Sequence, residues 1–284
     1  MAGIRQTSLT GFSGGRLEFI PPDRVRKFAR NIDPATLARF QTEIDKHLAL
    51  AEVAKSTDLF RVPPILQCGN EVGWYDRQYV PGVTLERCLE DAKGTNAMHW
   101  SAWLLDALDV LTSARGRTVE EGTVRAYLND LWSGRITSIV PASASDRHWL
   151  DRYHQNLAFI RSGPKPGILQ HSCHGDLAFD NILIDPDKNA WLIDPLTPAF
   201  DSCLWDAAKV LQSTYCNWRD IRRGIYRPAP AYMTEFTSRV FCRQGQFNAL
   251  YYLCCVLLRI IPYAQHHSQK MALLKWIVTV QEQM

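Results

Sequence analysis

The sequence lacks the features of a membrane-spanning, secreted or nucleic-acid-binding chain. Its most apolar stretch, residues 249–261, is too short to span a bilayer and contains Arg259. The first fifteen residues have no apolar core of the kind found in signal peptides. No run of Lys or Arg stands out, and the net charge is only +3. These absences favour a cytoplasmic protein with no membrane span and no nucleic-acid partner.

Cysteine pairs of the metal-binding type are also missing. The eight cysteines include no Cys-x-x-Cys pair, and the adjacent Cys254 and Cys255 could not sensibly bond to each other. We therefore expect reduced, mostly buried thiols and no zinc site. The composition is otherwise that of a globular protein, with 46% hydrophobic and 21% charged residues. A chain of 284 residues can bury the core of one large domain or of two modest lobes.

The apolar pattern changes character near residue 81. Before it, strands are predicted at residues 17–20, 25–29, 65–68 and 74–80. The pair Asp33-Pro34 predicts a helix start, because an oxygen side chain can cap the helix and proline is tolerated in the first turn. From residue 82 onward, apolar stripes at helical spacing dominate. The sequence thus predicts an α+β fold, with a small β-rich lobe at residues 1–81 and a larger, mainly helical lobe at residues 82–284.

A predicted hairpin in the second half of the chain carries the first sign of chemistry. Residues 182–184 and 190–193 are short apolar strands, and the segment between them is a dense turn signal. Asn181 and Asp194 flank the hairpin, and antiparallel pairing would place them side by side, about 5 Å apart. An amide oxygen and a carboxylate held at the open end of a hairpin suit Mg²⁺, which completes its shell with water and phosphate oxygens.

Asp176 lies five residues before Asn181, in a turn that is too polar to be strand or core. In that position it could accept or orient the proton of a substrate hydroxyl. His174, Asp176, Asn181 and Asp194 together fit the pattern H-x-D-x-x-x-x-N, strand, Asp, which is the arrangement of kinase catalytic loops. The joint match is specific, because four polar residue types must fall at set offsets around a hairpin. Each of these residues alone would be interpreted as an ordinary turn residue.

Two segments, HGDLAFDNIL at 174–183 and LIDPLTPAFDSCLWDAAK at 192–209, resemble the aminoglycoside phosphotransferase and choline kinase superfamily. The resemblance implies a protein-kinase-like, bilobal fold and a small-molecule kinase that uses Mg²⁺ and ATP or GTP. It implies that Asp176 is the catalytic aspartate and that Asn181 and Asp194 hold Mg²⁺. It also implies that Asp206 opens a helix that braces the loop from behind. The glycine usual shortly after the metal-binding aspartate is absent, and Pro195-Leu196 stands in its place.

The N-terminal lobe offers weaker signals for a nucleotide site. Gly11, Ser13, Gly14 and Gly15 lie in a glycine-rich turn between short strands, which suits backbone N–H contacts with phosphates. Residues 78–82 resemble the hinge of the superfamily, where backbone groups meet the nucleobase. The hinge residues of interest are Tyr79 and Val80.

Lys27 lies on the strand at residues 25–29, where a kinase needs its phosphate-binding lysine. Glu43, on the first helix, could pair with it. Arg26 points to the other face of the same strand and is the weaker candidate. The alternative interpretation of Lys27 and Glu43 is that both are solvated surface charges.

Two other functions share parts of this pattern. A protein kinase needs a long activation segment after the metal-binding aspartate, but only eleven residues separate Asp194 from Asp206. A non-catalytic nucleotide-binding pseudokinase or scaffold normally loses the base or the metal ligands, and all three are present here. A small-molecule hydroxyl acceptor is therefore favoured.

The acceptor itself is left open among a sugar, a glycan precursor, an amino alcohol and an aminoglycoside. The net positive charge, with Arg259, Tyr263, His266 and His267 near the end of the chain, slightly favours a neutral or anionic acceptor. The choice between ATP and GTP and the oligomeric state are also open.

Overall fold

The computed structural model describes residues 9–10, 16–91, 96–114, 118–162 and 170–284. The chain divides into two compact units. Unit 1 comprises Met1–Cys88 and Asp180–Thr197, and unit 2 comprises Leu89–Phe179 and Pro198–Met284. The second segment of unit 1 thus comes from the later half of the sequence. The lobe boundary after residue 81 stays a prediction.

Unit 1 is built on a five-stranded antiparallel sheet and one long helix. The strands are β1 Leu9–Thr10, β2 Arg16–Ile20, β3 Arg24–Phe28, β4 Ile65–Gly69 and β5 Trp74–Gln78, in the order β1-β2-β3-β5-β4. The helix α1, Pro34–Ala54, begins as predicted, because the Asp33 carboxylate accepts the N–H of Thr36 at 2.9 Å. Phe40 and Ile44 of α1 pack on Tyr75 of β5 and form the core under the sheet.

A second, three-stranded sheet in unit 1 contains the predicted hairpin. Its strands are β6 Val83–Thr84, β7 Ile182–Ile184 and β8 Ala190–Leu192, all antiparallel. The Asp185 carboxylate closes the turn by accepting the N–H of Asn189 at 2.8 Å and the indole N–H of Trp191 at 2.9 Å. The hairpin is confirmed, although β8 ends at Leu192, one residue earlier than predicted.

Unit 2 is mainly helical. Its helices are α3 Ala97–Ser113, α4 Glu121–Gly134, α5 Ala144–Ser162, α6 Cys203–Thr214, α7 Trp218–Arg222, α8 Thr234–Gln244, α9 Gln246–Ile260 and α10 His267–Gln281, and α2 Leu85–Asp91 spans the boundary with unit 1. The α9 side chains from Ala249 to Leu258 are buried, so the most apolar stretch of the sequence forms a core helix. Among the described residues, no single helix is long and apolar enough to cross a membrane. The region of α8 and α9 passes that test only as a pair bent by 113°.

Candidate active site

Lys27, the predicted phosphate-binding lysine, lies on β3 opposite Tyr75 of β5. Its ammonium forms an ion pair with the Glu43 carboxylate of α1. The Tyr75 hydroxyl donates a hydrogen bond to the same carboxylate at 3.2 Å. The structure therefore brings Lys27 and Glu43 together, and neither is a freely solvated surface charge.

The Lys27 ammonium also lies 3.4 Å from a carboxylate oxygen of Asp194. Burial disfavours the charged ammonium, but the negative charge of Asp194, followed by Tyr75 and Glu43, outweighs burial and raises the pKa of Lys27. Lys27 thus stays protonated at any physiological pH. The predicted phosphate-binding lysine and the predicted metal ligand meet in unit 1, although 167 positions separate them in the sequence.

Asp194 follows the end of β8 in an unusual backbone conformation. Its φ of 55° is in the left-handed region, which aspartate tolerates better than most residues. This residue takes the chain out of the ladder. A guanidinium nitrogen of Arg77 lies 3.8 Å from its carboxylate, so that two cations, Lys27 and Arg77, surround Asp194. The partnership with Arg77 was not predicted.

The register of the hairpin corrects one prediction about Asn181. Ile182 pairs with Leu192, so the continuing ladder places Asn181 opposite Ile193 and not opposite Asp194. The N–H of Ile193 donates to the Asn181 carbonyl at 3.0 Å. Asn181 and Asp194 are therefore offset by one residue across the hairpin. The prediction that they lie directly side by side was wrong, because the register that pairs Ile182 with Leu192 leaves Asp194 one residue beyond the position opposite Asn181.

The donor types of Asn181 and Asp194 fit Mg²⁺, since both offer hard oxygen ligands. In the part of the chain that the structure describes, no group of three or more His, Cys, Asp or Glu side chains could hold a metal. Mg²⁺ does not need such a cage when it is bound with phosphates, because one or two carboxylates, waters and phosphate oxygens fill its shell. The assignment of Asn181 and Asp194 as metal ligands stays a prediction.

The loop that carries Asp176 belongs to unit 2 and is held from behind by a buried carboxylate. Asp206 is fully buried and accepts the N–H of His174 at 2.6 Å and the N–H of Gly175 at 2.7 Å. Gly175 has a φ of 82°, a conformation that glycine adopts without strain. The bracing by Asp206 is therefore present. Asp206 does not open its helix, however, because α6 begins at Cys203 and is capped by Ser202.

The Asp176 carboxylate lies 2.7 Å from the Lys209 ammonium, a contact that the sequence analysis missed. Burial opposes ionisation of Asp176, but the positive charge and hydrogen bond of Lys209 outweigh it, and the pKa of Asp176 is lowered. Lys209 comes three residues after Asp206 on α6 and so lies on the same helix face. That spacing is the one signal in the sequence that could have suggested the pair.

The structure describes only some of the other residues predicted to bind the nucleotide. Gly11, Ser13, Gly14 and Gly15 lie outside the described residues, although the strands on either side of them pair as a hairpin. Tyr79 donates its backbone N–H to the Asp23 carbonyl at 2.7 Å, so this N–H is not available to a nucleobase. The Val80 side chain is buried.

The four residues singled out near the end of the chain have different environments. The guanidinium of Arg259 on α9 lies 5.2 Å from the centre of the Trp205 ring. Tyr263 is half exposed. His266 caps α10, and His267 lies 2.9 Å from the Asp146 carboxylate. The two histidines thus have structural partners.

Comparison with known proteins establishes the fold. No protein-family model matches the sequence, and no curated protein shows significant similarity to it. Among solved structures, the chain is similar to a complex of aminoglycoside phosphotransferase APH(4)-Ia with AMP-PNP and hygromycin B. The TM-score is 0.64 and the identity 13%, over 98% of this chain and 94% of that chain.

Two further solved structures are similar to this chain over nearly its whole length. Choline kinase LicA from Streptococcus pneumoniae matches with a TM-score of 0.60 and 16% identity, over 99% of this chain and 94% of that chain. The GDP and kanamycin complex of an APH(2") aminoglycoside phosphotransferase matches with a TM-score of 0.59 and 12% identity, over 100% of this chain and 95% of that chain. The predicted α+β, kinase-like fold is confirmed. More particularly, it is the fold of the aminoglycoside phosphotransferases and choline kinases.

Proposed function

We propose that this protein is a Mg²⁺-dependent small-molecule kinase that transfers the γ-phosphate of ATP or GTP to a hydroxyl group. The supporting observation is the contact of Lys27 with both Glu43 and Asp194 in unit 1. In kinases, a strand lysine paired with a helix glutamate and a metal-binding aspartate after a hairpin form the phosphate-handling side of the site.

Each residue has a definite task in this proposal. Lys27 neutralises phosphate oxygens, and Glu43 holds the Lys27 ammonium in position. Asn181 and Asp194 would hold Mg²⁺, which neutralises charge on the phosphates when it is bound. Asp176, ionised because its pKa is lowered, orients the acceptor hydroxyl and accepts its proton.

A screen for phosphate transfer tests the proposal directly. The protein is incubated with a metabolite library, Mg²⁺ and either ATP or GTP, and the products are analysed by mass spectrometry. We expect at least one hydroxyl compound to gain the mass of one phosphate, and the transfer to stop when Mg²⁺ is chelated. A protein that binds nucleotide but transfers phosphate to no compound would instead be the non-catalytic alternative.

The two neighbouring cations of β3 provide a second test, because they point to opposite faces of the sheet. Arg26 contacts the buried Asp76 at 2.7 and 3.0 Å and stacks on the Trp74 ring at 3.9 Å. Lys27 faces Glu43 and Asp194. We expect Lys27→Ala to lower kcat/KM by about 10²–10³-fold, because it removes charge stabilisation at the phosphates. Arg26→Ala should lower it by less than about tenfold.

Steady-state kinetics on both variants, with thermal melting as a check of folding, decide the comparison. The melting control matters for Arg26→Ala, since Asp76 would lose its two hydrogen bonds to Arg26 and keep the longer contact with Arg24 at 3.6 Å. Equal losses of kcat/KM, or a larger loss for Arg26→Ala in a folded protein, would show that the phosphate-binding face has been assigned to the wrong side of β3.

A further inference from the structure

The surroundings of Asp176 in unit 2 are unusually rich in positive charge for a site that would bind a cationic acceptor. Lys209 contacts the Asp176 carboxylate at 2.7 Å. Trp205 lies one helical turn before Lys209 on α6, so the two side chains share a helix face. The guanidinium of Arg259, reaching from α9, lies over the Trp205 ring. The cluster formed by Lys209, Arg259 and Trp205 is called the cationic cluster below.

Arg259 is the member of the cationic cluster that could donate a further hydrogen bond to a ligand. Within the described ranges, its Nη1 atom is buried and meets no hydrogen-bond acceptor. A buried donor without an acceptor is destabilising and rare in folded proteins, so it calls for a partner that binds there. The charge of Arg259 also acts on Asp176 and on Tyr127 of α4. The positive charge of Arg259 thus helps, after that of Lys209, to keep the pKa of Asp176 low.

Among the described residues, the neighbouring Asp206 is engaged behind the loop. Its two carboxylate oxygens accept the N–H groups of His174 and Gly175. Asp130 and Arg135 also act on Tyr127, with opposite signs, and both side chains are exposed. Asp176 itself is a partly exposed carboxylate in contact with the Lys209 ammonium.

The chemistry of these groups specifies a ligand class. A guanidinium presents a planar fork of N–H donors that matches carboxylate and phosphate oxygens, and an aromatic face beneath it holds the fork in orientation. A cationic acceptor such as choline or an aminoglycoside would meet repulsion from Arg259 and Lys209. An acceptor with an anionic group would satisfy the open Nη1 donor.

We propose that the acceptor carries a carboxylate or phosphate group close to its reactive hydroxyl, and that Arg259, stacked on Trp205 and assisted by Lys209, binds this anion. This inference rests on the proposed kinase function. In the transfer, the acceptor oxygen bonds to the γ-phosphorus as the bond to the β–γ bridging oxygen breaks. The nucleoside diphosphate leaves and the hydroxyl proton passes to Asp176. The acceptor's own anionic group is unchanged.

Matched acceptors test the inference on the unmodified protein. Glycerol is compared with glycerol 3-phosphate and glycerate, glucose with glucose 6-phosphate and gluconate, and both sets with choline and kanamycin. We expect kcat/KM to be higher for the anionic member of at least one set by about 10–100-fold. This is the factor that one charge-assisted hydrogen bond usually contributes. The comparison of the phosphate compound with the carboxylate compound in each set shows which anion is preferred. Preference for the neutral or cationic compounds would overturn the inference.

The variant Arg259→Gln should reduce this anionic preference, measured as a ratio of kcat/KM values, by about 10–100-fold. The matched control Arg135→Gln removes an exposed arginine of the same neighbourhood and should leave the ratio unchanged. If Arg259→Gln lowers kcat/KM equally for neutral and anionic acceptors, Arg259 serves the nucleotide phosphates and the inference is wrong. The comparison of acceptors on the unmodified protein remains decisive if Arg259→Gln does not fold.

Mg²⁺-dependent hydrolysis of ATP in the absence of any acceptor separates this inference from the proposed function. If hydrolysis occurs and is lost in Asp194→Asn, but the anionic acceptors are not preferred, only the nature of the acceptor is wrong. If neither hydrolysis nor transfer to any acceptor is detected, the kinase function fails and the inference fails with it.

Discussion

Asp176→Asn is expected to lower kcat by about 10²–10⁴-fold, the usual cost of removing a proton acceptor from the chemical step. The affinity for nucleotide should change by less than about threefold, because Lys27, Glu43 and Asp194, the residues proposed to handle the phosphates, belong to unit 1. The substitution keeps the size of the side chain, and Asp206 still fixes the loop through His174 and Gly175. The loss should therefore be chemical rather than structural.

Single-turnover transfer and nucleotide calorimetry measure the two effects of Asp176→Asn separately. Asp109→Asn is a suitable control, since Asp109 is an exposed carboxylate that also contacts a cation, Arg243, at 2.6 Å. That control should leave both quantities unchanged. A loss of nucleotide binding in Asp176→Asn with normal chemistry would make Asp176 a metal or structural residue, and the roles in the loop would have to be reassigned.

The second large effect is expected at the two proposed metal ligands, Asn181 and Asp194. Asp194→Asn and Asn181→Ala should each lower Mg²⁺-dependent turnover by about 10²–10³-fold, because a bound metal supplies several kcal/mol of charge stabilisation in phosphoryl transfer. Folding should be intact in Asn181→Ala, since the variant keeps the backbone carbonyl that accepts the N–H of Ile193 in the hairpin. In Asp194→Asn, Lys27 keeps its ion pair with Glu43.

Titration of turnover with Mg²⁺ distinguishes lost metal binding from general damage. Both variants should need a higher Mg²⁺ concentration to reach half of their maximal rate. Asp187→Asn, in the exposed turn of the same hairpin, should behave like the unmodified protein. Unchanged activity in Asp194→Asn or in Asn181→Ala would remove that residue from the proposed metal site.

Local signals made much of this fold predictable. Asp33-Pro34 specified the start of α1, since capping depends on neighbouring residues alone. The Asp185 turn specified the hairpin in the same way. The position of Asp206 behind the loop followed from the resemblance to a family and was confirmed by its two hydrogen bonds.

Contacts that depend on tertiary packing could not be predicted from the sequence. Nothing near Asp194 in the sequence indicates Arg77, because the contact forms only when β5 and the hairpin meet. The offset between Asn181 and Asp194 depends on the register of the hairpin, and a composition pattern does not specify register to one residue. The occupied N–H of Tyr79 likewise depends on Asp23, far from it in the chain.

The division of unit 1 into two segments has a consequence for how the protein is made. When Cys88 leaves the ribosome, β6 still lacks β7, and Arg61 lacks the backbone partners Ala190 and Leu192. At typical synthesis rates, the roughly one hundred intervening residues take about 5–20 s to appear. During this interval the nascent N-terminal segment lacks its hairpin, and Lys27 lacks its contact with Asp194. A fragment ending at residue 88 would be trapped in the same unfinished state, so unit 1 is completed only when synthesis reaches Thr197.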